Sequence, residues 1–118
     1  MLLRSLETPA NLPFSRELWT ADATPLLRQV NVPVLVIIGK KDLQVDWQTD
    51  GEPLQPAAAG QEEVTFLFPE NANHVLKEEL RPREDLVPAE ITESYNGPAT
   101  RLDQETLASI LAWLAAHT

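Results

Sequence analysis

The sequence predicts an α/β fold built on one βαβ unit, and three observations carry that reading. Val34-Leu35-Val36-Ile37-Ile38-Gly39 is an apolar, mostly β-branched run between Pro33 and a glycine. Val64-Thr65-Phe66-Leu67-Phe68 is a second such run, closed by Pro69. Between them lie roughly two dozen residues, ample for the helical crossover that a parallel strand pair requires. The expected strands are therefore about 34–39 and 64–68. The first has no polar residue on either face, so it reads as buried on both sides beneath helices.

The remaining elements follow in order. Residues 1–20, with Pro9 and Pro13, show no period and read as an irregular N-terminal segment. From 21 onward Asp22 or Thr24 can cap a helix of about two turns, with Pro25 in its first turn and Leu26, Leu27 and Val30 as its apolar face. Residues 21–76 form the βαβ core. Within it, residues 46–59 read as a weak helix capped by Asp46, with Trp47, Leu54, Ala57 and Ala58 inward and Gly60 as its stop. Gly51, Pro53 and Pro56 weaken it, because an interior proline costs about 3 kcal/mol. Residues 77–101 are charged and interrupted by Pro82, Pro88, Gly97 and Pro98, and read as a long charged surface loop with one helical turn. Residues 102–117 are the clearest element: Asp103 caps a helix in which Leu107, Ile110, Leu111 and Leu114 form one stripe. The whole is one domain of 118 residues.

Composition narrows the function classes. Apolar residues make up 43 % and aromatics only 6 %, which predicts an aliphatic core and excludes a disordered chain. No apolar run approaches the length of a membrane span. There is no cysteine, hence no disulfide, no thiolate chemistry and no zinc–cysteine site. A net charge of −9 argues against nucleic acid as a partner. The two histidines, His74 and His117, cannot make a histidine-rich metal site. The acids at 46–52 lack the spacing of a calcium loop, and Glu62-Glu63 and Glu78-Glu79 read as solvated faces, so neither metal nor cofactor is expected. The opening residues do not have the pattern of a signal peptide, and the expected location is cytoplasmic.

Two side chains stand where α/β chemistry is usually done. Asp42 lies just past the first strand, and His74 just past the second. If the strands are parallel neighbours, both side chains emerge at one edge of the sheet, where ligands of open α/β sheets bind. A carboxylate beside an imidazole fixes the ring tautomer and stabilises the imidazolium once the ring takes a proton. Asp46, the competing acid, is better explained as a helix cap, and His117 as an exposed terminal residue. Trp47, Trp113 and the stripe of the last helix read as core.

Val32-Pro33-Val34-Leu35-Val36-Ile37-Ile38-Gly39-Lys40-Lys41-Asp42, followed by Asn73-His74-Val75-Leu76-Lys77, resembles the carboxyl-terminal part of the α/β-hydrolase superfamily. The Leu43-Gln44-Val45 stretch and Ser94-Tyr95-Asn96 look most like its bacterial esterase and serine-aminopeptidase-like branch. The resemblance covers roughly residues 20–118. It implies that Asp42 and His74 occupy the acid and base positions of a Ser-Asp-His triad, in the chain order of that fold. The nucleophile is missing: no G-x-S-x-G occurs, and Ser5, Ser15, Ser94 and Ser109 all lack a glycine-flanked turn. The expectation is a module or remnant of such a hydrolase, inactive by itself. The alternatives are a non-catalytic α/β interaction protein, or a hydrolase in which the dyad activates water. The unpaired apolar edge of strand 34–38 further predicts a homodimer or a partner chain, unless residues 1–20 cover it.

Overall fold

The computed structural model describes residues 9–14 and 23–118. Most of the 1–20 segment, the possible cap Asp22, and Ser5 and Ser15 lie outside the described residues. The chain is mixed α/β. Helix α1 (Ala23–Leu27) leads into strand β1 (Val34–Ile37). A π-helical turn (Trp47–Gly51) and helix α2 (Leu54–Ala57) then form the crossover to strand β2 (Val64–Leu67). A 3₁₀ turn (Arg83–Asp85), helix α3 (Pro88–Ser94) and helix α4 (Gln104–Ala116) complete the order. Among the described residues, no helix is long and apolar enough to cross a membrane.

β1 and β2 pair in parallel, with Val34 opposite Val64 and Ile37 opposite Leu67. They make up a two-stranded sheet. The strand runs are thus where the sequence places them, each ending slightly earlier than expected. Burial is different. Every β1 residue is half-buried, where the sequence predicts a strand covered on both faces. Among the described residues the buried apolar ones are Ala57, Ala58, Ala72, Leu86 and Ile91. A two-stranded sheet flanked by helices of four and five residues cannot enclose its larger side chains.

Three helices depart from expectation for local reasons. Thr24 sits inside α1 and does not cap it. The crossover helix splits at Glu52-Pro53, so Asp46 caps only the π-helical turn, accepting from the amides of Gln48 and Thr49. Residues 77–101 hold more helix than the one turn expected, a 3₁₀ turn and a seven-residue helix. Pro88 starts α3, where its fixed φ suits the first turn, and Ile91 is buried at 2 % exposure.

Helix α4 begins as the sequence predicts. Asp103 Oδ2 accepts from the Thr106 amide at 3.0 Å and from its hydroxyl at 2.6 Å. Its far end departs: Leu111 and Leu114 are 57 % and 45 % exposed, so the apolar stripe is covered only near the first turns.

Candidate active site

Parallel register brings the carboxyl ends of β1 and β2 to the same edge, and a close backbone approach then locks the two following loops together. A Cβ on Gly39 would lie 2.0 Å from the Ala72 carbonyl oxygen, so only glycine fits. The Lys40 amide donates to the Pro69 carbonyl at 2.9 Å, and the Lys41 amide to the Ala72 carbonyl at 3.1 Å. Lys41 is itself buried, its Nζ donating to the carbonyls of Glu79 and Arg81. That ammonium ties the chain beyond the second loop back to the first.

Asp42 is only 4 % exposed. Its Oδ1 accepts from the amides of Gln44 at 2.8 Å and Val45 at 3.0 Å. Its Oδ2 lies 2.9 Å from Nδ1 of His74. A buried carboxylate must have its oxygens satisfied, and here all three partners point at it. The carboxylate can only accept, so Nδ1 carries the proton and donates, which leaves the Nε2 lone pair free on the neutral ring. The imidazole is 35 % exposed, and no described residue bonds Nε2.

The histidine sits on a tight turn. Asn73, buried at 5 %, donates its amide to the Lys77 carbonyl at 3.0 Å. Its Oδ1 accepts from Val75 at 3.1 Å and Lys77 at 2.9 Å. Leu76 closes the turn at φ 61, a left-handed conformation unusual for a leucine. Tyr95 lies alongside the imidazole, ring centroids 6.5 Å apart and planes at 27°. Its hydroxyl accepts from Nε2 of Gln44 at 3.0 Å, so the loop that presents Asp42 also fixes the ring beside His74.

The other candidates stand apart from this pair. Asp46 is a cap, as expected, and also pairs with Arg83 at 3.0 Å. The amides of Thr49 and Gln48, helped by that guanidinium, hold its carboxyl below the usual range. His117 is exposed but not frayed: its Nδ1 donates to the Trp113 carbonyl at 2.7 Å, and its ring stacks on Trp113 at 4.3 Å. Glu78 and Glu79 are not freely solvated, because they pair with Arg101 and Arg81. The Arg81 guanidinium lowers the Glu79 pKa. The Ser94 hydroxyl donates to the Ile91 carbonyl at 2.8 Å, and no serine among the described residues bonds the imidazole. Nor do the described residues contain any group of three potential metal ligands.

No family model, curated protein or solved structure matches the chain. What the site can do therefore rests on its own geometry. An imidazole anchored through Nδ1 can take a proton at Nε2 while the buried carboxylate stabilises the resulting cation. Sequence reasoning identified the pair but not its supports. Gly39 and Asn73 carried weak signals, a glycine after a strand and an asparagine before a turn. Nothing in the sequence marks Lys41 as buried.

Proposed function

We propose that this chain is the carboxyl-terminal module, or a remnant, of an α/β-hydrolase, carrying the Asp42 and His74 of a Ser-Asp-His triad. The observation that carries this reading is the 2.9 Å contact between a doubly amide-anchored carboxylate and Nδ1 of an imidazole, just beyond two adjacent parallel strands. That arrangement prepares Nε2 to draw a proton from a nucleophile. The described residues place no nucleophile there, and an Asp–His pair without oxyanion donors leaves the transition state of acyl transfer unsupported. By itself the chain is therefore inactive as an esterase or peptidase, and a second chain would have to bring the serine.

The test is turnover of a p-nitrophenyl ester by the purified chain, with His74→Ala, Ser94→Ala and Ser109→Ala compared in parallel. The expected result is no turnover above the buffer blank that depends on any of the three. Hydrolysis abolished by either serine change overturns the reading of an absent nucleophile. Hydrolysis abolished by His74→Ala alone favours a dyad that activates water.

A further inference from the structure

We infer that two copies of this chain join through the outer edge of β1, about a two-fold axis at Val36, into a continuous four-stranded sheet. This is independent of any role for Asp42 and His74.

The edge comes first. The Val34 amide donates to the Glu63 carbonyl at 2.8 Å, and the Ile38 amide to the Leu67 carbonyl at 3.1 Å. By strand alternation the backbone groups of Val34, Val36 and Ile38 face β2, while those of Leu35 and Ile37 face the other way. Among the described residues β1 has no second strand neighbour. An antiparallel copy centred on Val36 sets Leu35 opposite the copy's Ile37, and Ile37 opposite its Leu35. Both are then hydrogen-bonded pairs, so every outward amide and carbonyl of the strand is used at once. A register centred on Leu35 would instead oppose Ile37 to Pro33, which has no N–H to give.

The surroundings of the edge suit a copy of the same chain. Beside it lies an open groove of about 290 Å³, lined by Ala23, Leu26, Leu27, Val30, Val36 and Leu54. Leu26 is 58 % exposed and Val32 57 %. In the two-fold arrangement Val36 meets its own counterpart on this face, and the helices α1 of the two copies close over the pair.

Charge favours self-association over another occupant. A chain of net charge −9 repels its own kind over most of its surface. Residues 23–41, which hold α1 and β1, contain no acid at all out of the chain's eighteen. Of the three bases in that stretch, Arg28 is exposed, Lys40 is paired with Glu70 and Lys41 is turned inward. The seam is the acid-free place where a copy can approach.

Sedimentation velocity at micromolar concentration, with amide hydrogen exchange read residue by residue, tests the proposal. Wild type should sediment as a dimer, with the Leu35 and Ile37 amides protected. Leu26→Glu places a charge at the seam on a side chain already exposed in the single chain, so folding is kept. It should sediment as a monomer of unchanged circular dichroism and lose protection at those two amides. Leu111→Glu, on the exposed stripe of α4, should remain dimeric. A wild-type monomer overturns the proposal, as does a Leu26→Glu dimer. A dimer with unprotected Leu35 and Ile37 amides, or one broken by Leu111→Glu, moves the contact elsewhere. Open-ended fibres would overturn the closed two-fold.

Discussion

Replacing Asp42 by asparagine separates the proton geometry of the site from its shape. The asparagine oxygen can keep the place of Oδ1, accepting from Gln44 and Val45 at about their present 2.8 and 3.0 Å. Its amide nitrogen then stands where Oδ2 now receives the imidazole, 2.9 Å from Nδ1. Two donors cannot face each other, so the ring proton must leave Nδ1 for Nε2. A charge-assisted hydrogen bond contributes about 1.5–3 kcal/mol and a neutral one about 1 kcal/mol. The imidazole is partly solvated, so the net loss of stability should lie near about 1 kcal/mol, a modest shift in urea midpoint. The tautomer, by contrast, should invert completely. Long-range proton–nitrogen correlation at a pH where the rings are neutral reads this directly. His117 serves as the internal reference, since its Nδ1 donates to the Trp113 carbonyl in both proteins. A wild-type His74 protonated on Nε2, or one indifferent to Asp42→Asn, would refute the derivation.

Gly39→Ala should cost about 3 kcal/mol in chemical denaturation, because its Cβ would meet the Ala72 carbonyl at 2.0 Å and backbone cannot step aside. Near-normal stability would mean that the two loops do not touch. Asn73→Ala removes the acceptor of the Val75 and Lys77 amides and should cost about 2 kcal/mol. Asn73→Asp, which keeps an accepting oxygen, should lose clearly less, and equal losses would show that this acceptor does not matter. Acid should destabilise the fold in a defined window. The Glu79 carboxyl is held below its ordinary value of 4.5, chiefly by the Arg81 side chain, so between the folded and unfolded values the unfolded chain binds the extra proton. The contribution is therefore present above about pH 4.5 and lost as pH falls through the folded value, and thermal melts of Glu79→Gln should show a shallower acid limb.

Both strands and the capped last helix were legible because each is written locally. An apolar run between Pro33 and Gly39, and an aspartate placed before the stripe of residues 107–114, need no distant partner to be read. The juxtaposition of Asp42 and His74 was legible as a consequence of parallel pairing. The supports were not. Gly39 matters only because Ala72 comes to meet it, and Lys41 is buried only because the carbonyls of Glu79 and Arg81 converge on it. Pro88 was read as a breaker, yet it starts a helix, because proline interrupts a helix interior and suits a first turn equally well. The stripe of α4 shows the reverse failure. Amphipathic spacing says which side chains want cover, not whether anything supplies it, and Leu111 and Leu114 remain open.

The left-handed Leu76 has a consequence for how the histidine turn comes apart. Its carbonyl accepts from the Asp103 amide at 2.9 Å, and Asp103 in turn holds the first turn of α4 through Thr106. Its side chain borders a small apolar cavity with Leu102, Thr106, Leu107 and Ile110. The turn that carries His74 and the start of the last helix thus share the Lys77–Leu102 bridge, whose backbone bonds run from Asp103 to Leu76 and from Glu78 to Arg101, and one patch of packing. Neither can open without exposing the other, so they form a single unit of local unfolding. In native-state exchange the amides of Lys77, Asp103 and Thr106 should report a common opening free energy.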